Sequence, residues 1–275
     1  MSPFLTVLQP AFHSGVLIDS PHSGQYLPDD FGYSCANDDV LLAQDIAVDQ
    51  LIKPLVANGA YIICAEVARS YIDLNRAPDD IDPALCADRI ATKPTNYSRL
   101  GIGLIHRDAR PGKMIYKRRL TAAEIQARIR RLYHPYYQAV AEAIAAQPGE
   151  VLYLNAHSMA SANAPTDAAG RPLDLVIGTG DGCCADRAIV ENIAGLCRAA
   201  GLRVGIDHRY KGGHLIRTFG RPADGIHALQ LEFNRSLYMN ERTGELSNGA
   251  SRITSLMAQI VDYWGVRSAV PLAAE

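Results

Sequence analysis

Short apolar runs alternate with helix-spaced ones along most of this chain. Val16 to Ser20 (VLIDS) is an apolar run closed by Pro21, with Gly24 and Pro28 beyond, and it reads as a buried strand entering an irregular loop. In Val40 to Val56, Leu41, Leu42, Ile46, Val48, Leu51, Ile52 and Leu55 are spaced for one helical face, and Asn58-Gly59 supplies a stop. Ala60 to Ala65 (AYIICA) is a second strand. Ser70 to Ile115 is rich in Pro, Gly, Asp and Arg with little periodicity, too long for a plain connector and of the sort that walls a site.

Thr121 and Glu124 form a T-x-x-E capping box ahead of a helix that reaches about Ala146, where Pro148-Gly149 ends it; Pro135 inside the pattern predicts a kink or a break near Tyr133. Val151 to Leu154 is a third strand, Leu173 to Ile177 a fourth, Ala185 to Ala200 a helix, Leu202 to Ile206 a fifth strand and Ile226 to Phe233 a sixth. Ser251 to Trp264 closes the series as a helix. Strands alternating with helices predict an α/β fold, with a mainly parallel or mixed twisted sheet and helices on both faces. No Ser/Gly linker or internal repeat interrupts the series, so residues 1–275 are expected to form one catalytic domain.

Composition and charge narrow the function classes. With 275 residues, 48% hydrophobic and 20% charged, the chain can bury a core and is neither disordered nor fibrous. The net charge of -2, from 27 basic and 29 acidic residues, argues against nucleic acid as a partner. No apolar run reaches the roughly 18 residues of a membrane span, and Met1 to His13 lacks a basic start before an apolar stretch, so a cytoplasmic protein is expected. The six cysteines include no C-x-x-C pair, which indicates neither a zinc ribbon nor a disulfide framework.

In open α/β sheets ligands bind beyond the carboxyl ends of the strands. The first strand leads into Ser20-Pro21-His22-Ser23-Gly24, the third into Asn155-Ala156-His157-Ser158-Met159, and the sixth carries Glu232, Asn234 and Arg235, so two histidines and a glutamate converge on one edge. Two imidazoles are a common start for a zinc site, which needs a third protein ligand and an open position. Asp45, a charge within an apolar helical segment, is preferred over Glu66 at the end of the second strand, although a carboxylate turned to solvent or paired with a base fits its spacing equally well. Arg69 to Arg76 (RSYIDLNR) offers two arginines with Asp73 and Asn75, a set that holds a carboxylate ligand or pins a loop. Lys211-Gly212-Gly213 precedes His214 and Arg217. Gly178 to Gly182 fails the dinucleotide fingerprint, because Cys183 stands where the final glycine belongs.

Together these segments resemble the N-formylglutamate amidohydrolase (N-formylglutamate deformylase) family. The resemblance rests on Pro21-His22-Ser23-Gly24, Asp45 to Asp49, Arg69 to Arg76, Ala156-His157-Ser158-Met159, Lys211-Gly212-Gly213, and Gln230-Leu231-Glu232 through Tyr238-Met239, which run in the family's order. The chain departs from the family at Asn155, where Asp is frequent, and at Asp207-His208-Arg209, where Asn and Pro are frequent. The resemblance implies a zinc-peptidase-like (phosphorylase/hydrolase-like) fold. It also implies hydrolysis of an N-formyl or other short N-acyl amino acid, a step of amino-acid degradation such as histidine catabolism.

Amide hydrolysis needs an activated water, a stabilised oxyanion and a proton for the leaving amine. One Zn2+ per chain on His22, Asp45 and His157 would meet the first two needs, and Glu232 would serve as general base. The competing account of Glu232 is a salt bridge to Arg235. Arg69, Arg76 and Arg217 are candidates for the substrate's carboxylates, with Asp73, Asn75 and His214 beside them. Two other readings are a zinc amidase acting on cell-wall peptides, which needs an open groove, and a non-catalytic binder of carboxylated small molecules, which needs neither both histidines nor Glu232.

Overall fold

The computed structural model describes residues 4–110 and 112–269. Nine strands are present among them: β1 (Leu5–Leu8), β2 (Val16–Ser20), β3 (Tyr61–Ala65), β4 (Asp108–Arg110), β5 (Lys113–Met114), β6 (Val151–Met159), β7 (Leu175–Gly178), β8 (Val204–Ile206) and β9 (Ile226–Asn234). Seven of these form one sheet in the order β1-β3-β2-β6-β9-β7-β8, while β4 and β5 pair separately as an antiparallel ribbon. β6 runs parallel to both β2 and β9, β7 is antiparallel to β9, and β8 is parallel to β7. The sheet is therefore mixed and mainly parallel, as the alternation of apolar runs predicts. Every residue of β2, β3, β6, β7 and β9 is buried, and β3 and β7 accordingly read as near-continuous apolar runs rather than as alternating ones.

The helices are α1 (Asn37–Leu41), α2 (Val48–Ile52), α3 (Asn96–Arg99), α4 (Ala122–Arg128), α5 (His134–Ala145), α6 (Arg187–Ala199), α7 (His214–Phe219) and α8 (Gly249–Ala269). α2 and α8 pack on β2, and α7 on β6 and β9. No helix among the described residues is long and apolar enough to cross a membrane. By internal packing the chain divides into two compact units. Among the described residues, one holds 4–6, 21–44, 64–110 and 112–140, and the other 7–20, 45–63 and 141–269.

Three local expectations need correction. The helix predicted over Val40–Val56 is instead two single turns, α1 and α2, followed by a 3-10 stretch at Lys53–Asn58. Ala47 takes a left-handed φ of 59°, which interrupts any α-helix, and Leu42, assigned to the buried face, is 53% exposed. Tertiary anchors hold the chain off the helical path: Gln44 Nε2 donates to the Ser23 carbonyl at 2.6 Å, and Tyr238 Oη donates to the Ile46 carbonyl at 2.9 Å. The stop at Gly59 is present, with φ 88°.

The second correction concerns Pro135. The helix is not broken there, and its irregularity ends at Tyr133. A π turn over Ile129–Tyr133 joins α4 to α5, with the His134 amide reaching back to the Ile129 carbonyl, so one extra residue absorbs the missing proline N–H. The Thr121–Glu124 capping box forms as read.

The third correction is to the length of β6. It runs to Met159, five residues past the predicted end at Leu154, because β2 and β9 flank it and supply its backbone partners. Asn155, His157 and Ser158 interrupt the apolar run and hide the strand from a periodicity reading. β1 and α7 are further elements that no apolar pattern signalled.

Candidate functional site

The paired strands β6 and β9 set the spacing of their polar side chains. Their parallel register places Asn155 beside Gln230 and His157 beside Glu232. In a parallel pair such neighbours project to the same face, so an imidazole and a carboxylate stand side by side near the carboxyl ends of the strands. Both are buried, and Glu232 is 6% exposed. Gln230 Nε2 donates to Glu232 Oε1 at 2.8 Å, while Gln230 Oε1 accepts from the Gly213 amide at 2.8 Å. The Lys211-Gly212-Gly213 turn thus orients Glu232 through one amide side chain. Gly212 sits at φ 103°, and a Cβ there would lie 2.2 Å from Ile216 Cδ1.

Asp45, carried by the turn that precedes α2, meets His157. Its Oδ2 lies 2.9 Å from His157 Nδ1, and its Oδ1 accepts from Ser158 Oγ at 3.4 Å with Arg235 Nη2 at 3.6 Å. Arg235 Nε also donates to Ser158 Oγ at 3.0 Å. Arg235 therefore flanks Asp45, a role the sequence reading did not assign to it.

His22 follows β2 by two residues, in a loop pressed against the second strand's exit. A Cβ on Gly24 would lie 2.3 Å from the Glu66 carbonyl carbon, and the Tyr26 amide donates to the Glu66 carbonyl at 2.8 Å. Only glycine permits that approach. Glu66 itself accepts from Thr6 Oγ1 at 2.6 Å.

Asp73 organises the segment that carries the arginines. Its Oδ1 is 2.8 Å from His22 Nε2 and accepts from the Asn75 amide at 2.9 Å; its Oδ2 accepts from Arg69 Nε at 2.8 Å, with Arg76 Nε at 3.5 Å and His106 Nε2 at 3.6 Å. Burial opposes ionisation of Asp73, but the charges of Arg69 and His22 outweigh it and hold the carboxyl well below the usual range. Burial likewise pushes His106 toward its neutral form, against the pull of Asp73. Asp73, grouped on sequence with the ligand-binding residues, is wholly buried and engages His22. Arg76 keeps partial exposure, with its guanidinium 3.8 Å over the Tyr97 ring.

The remaining candidates lie on a different turn. His214 opens α7, and Arg217, 43% exposed, donates to Asp181 Oδ2 at 3.0 Å and to the Gly180 carbonyl at 3.2 Å. Lys211 Nζ donates to the other Asp181 oxygen at 2.6 Å.

Three buried residues can each turn one ligand atom toward a cation. The ligand atoms of His22, Asp45 and His157 lie within 4.8 Å of one another. Two imidazoles and one carboxylate form a donor set suited to zinc or another divalent transition metal. The Nε2 of each histidine is engaged by a fixed side chain, Asp73 for His22 and Asn155 for His157, as metal-ligating histidines require.

Comparison with known proteins shows the family of the chain. The sequence model of a family described as N-formylglutamate amidohydrolase matches residues 14–239. An N-formylglutamate deformylase of Pseudomonas putida is 31% identical over 241 residues, covering 84% of this chain and 85% of that protein. Its Pseudomonas aeruginosa counterpart is 30% identical over 218 residues, covering 75% and 77%. The crystal structure of an N-formylglutamate amidohydrolase from Ralstonia eutropha superposes with a TM-score of 0.90 at 33% identity, covering 97% of this chain and 98% of that one.

Proposed function

The chain belongs to the N-formylglutamate amidohydrolase family, and from that premise we propose that it hydrolyses an N-formyl or similarly short N-acyl amino acid, N-formylglutamate-like, to formate and the free amino acid. The observation that carries this reading is the grouping of His22, Asp45 and His157 within ligand distance, with Glu232 in register beside His157. These three residues would hold one divalent metal ion, zinc by donor type. When bound, such an ion lowers the pKa of a coordinated water toward roughly 7 and polarises an acyl oxygen.

The rest of the reaction falls to the chain's own side chains. Glu232 accepts the proton of the attacking water and returns it to the leaving amine; Gln230 holds its carboxylate in one orientation for both transfers. Arg235 and Ser158 fix the Oδ1 side of Asp45, so that Oδ2 stays directed at His157. Arg76 and Arg69 bind the carboxylates of the amino acid, positioned by Asp73. Arg217 joins them only by exchanging Asp181 for the substrate.

Screening the metal-loaded protein against N-formyl, N-acetyl and N-succinyl forms of Glu, Asp, Gln and His, with free amine release as the readout, tests the proposal. N-formylated acidic amino acids should turn over fastest. Release from none of the formyl compounds would refute it.

A further inference from the structure

β2 and β6 pair in parallel with Asp19 beside Asn155, and this register builds a chain of three buried side chains. Asn155 Nδ2 donates to Asp19 Oδ1 at 2.7 Å, and Asn155 Oδ1 lies 2.6 Å from His157 Nε2. A carboxylate offers only lone pairs, so the Asn155 amide must turn its NH2 toward Asp19; the reversed amide would set two acceptors against each other. Its oxygen then faces the imidazole. An amide oxygen also only accepts, so His157 Nε2 is the nitrogen that carries hydrogen. In neutral imidazole the lone pair then belongs to Nδ1, which stands 2.9 Å from Asp45 Oδ2, another acceptor.

We infer that Asp19 and Asn155 are positioning residues that lock His157 in its Nε2–H tautomer, aiming Nδ1 and the Asp45 carboxylate at one shared cation. Asp19 acts through Asn155, two side chains away from the ligand atom. The inference rests on the reading of His157 as a metal ligand, and it adds the means by which that ligand is prepared. It also accounts for why two polar residues are buried on the central strands of the sheet, where an unpaired polar group is costly.

Exchanging the two partners provides the test. In Asn155→Asp two carboxylates face each other and one no longer donates, so zinc affinity, measured by competition with a chromophoric chelator, should fall roughly ten- to hundredfold. The double variant Asp19→Asn/Asn155→Asp restores the order of donor and acceptors and should bring affinity back close to wild type. Asn155→Leu should lose affinity like Asn155→Asp. In a 15N-edited spectrum of its zinc-loaded form, the His157 Nε2 proton should also lose its downfield shift and its protection from exchange. His157→Ala is the control for the underlying reading: if it binds zinc like wild type, His157 is no ligand and both ideas fall. If His157→Ala loses zinc while both Asn155 variants bind normally, or if the exchanged pair fails to recover, the positioning role alone is overturned.

Discussion

Two groups of buried polar side chains, one on β6 and β9 and the other around Asp73, are held in place by different means. On the strands the backbone ladder does the spacing: His157 lies beside Glu232 because Asn155 lies beside Gln230 one pleat earlier. After β3 no long ladder is available, and a single carboxylate gathers His22, Arg69 and the Asn75 amide around itself. A strand-borne group should therefore lose a side chain without its neighbours moving, whereas the loop-borne group should fail as a unit when its carboxylate is removed.

The sharpest test on the strand side is Glu232→Gln. The substitution keeps size and ladder but cannot take a proton, so kcat should fall about 10²- to 10⁴-fold with metal content and urea midpoint unchanged. Near-normal kcat would remove Glu232 from the chemistry.

On the loop side, Asp73→Ala leaves Arg69 and His22 without their shared partner. Breaking a buried ion pair in this way costs about 3–5 kcal/mol, readable as a lowered urea midpoint, and zinc binding should weaken with it. A midpoint equal to wild type would mean that the backbone alone shapes this segment, and the contrast between the regions would be lost.

A smaller effect separates the arginines. Arg76→Ala should raise KM about tenfold with kcat largely kept, as for a charge-assisted contact present in ground and transition states alike. Arg217→Ala should raise KM less, because Asp181 already neutralises that guanidinium. Steady-state kinetics with a formylated acidic amino acid measures both, and the reverse order would move the carboxylate contact to α7.

The smallest effect is expected at the capping box, where backbone and side chain share one local task. The Arg118 hydrogen bond and the Thr121 amide lower the Glu124 pKa to about 2. Since the folded value lies below the unfolded one, this stabilisation is complete above the ordinary carboxylate range and disappears as pH falls toward 2. Glu124→Gln should cost about 1 kcal/mol at neutral pH and much less near pH 2, by thermal melts at the two pH values.

Local sequence determined what depends on near neighbours. Short apolar runs placed β2, β3, β7 and β9, Thr121 with Glu124 started α4, and Gly59 stopped the chain before β3, because these signals act within one turn or one strand. The same signals placed His157 and Glu232 toward the ends of strands, and the β6–β9 register sets the two side by side. Tertiary structure alone decided the course of residues 42–47, where anchors on Ser23 and Tyr238 override a helical pattern, and the length of β6, whose buried polar residues look like loop until β2 and β9 pair with them. It also decided the partners of Asp73, Arg235 and Asn155. Which donor meets which acceptor across 190 residues, as between Asp45 and Arg235, is set by how strands align and loops close, and no local periodicity carries that information.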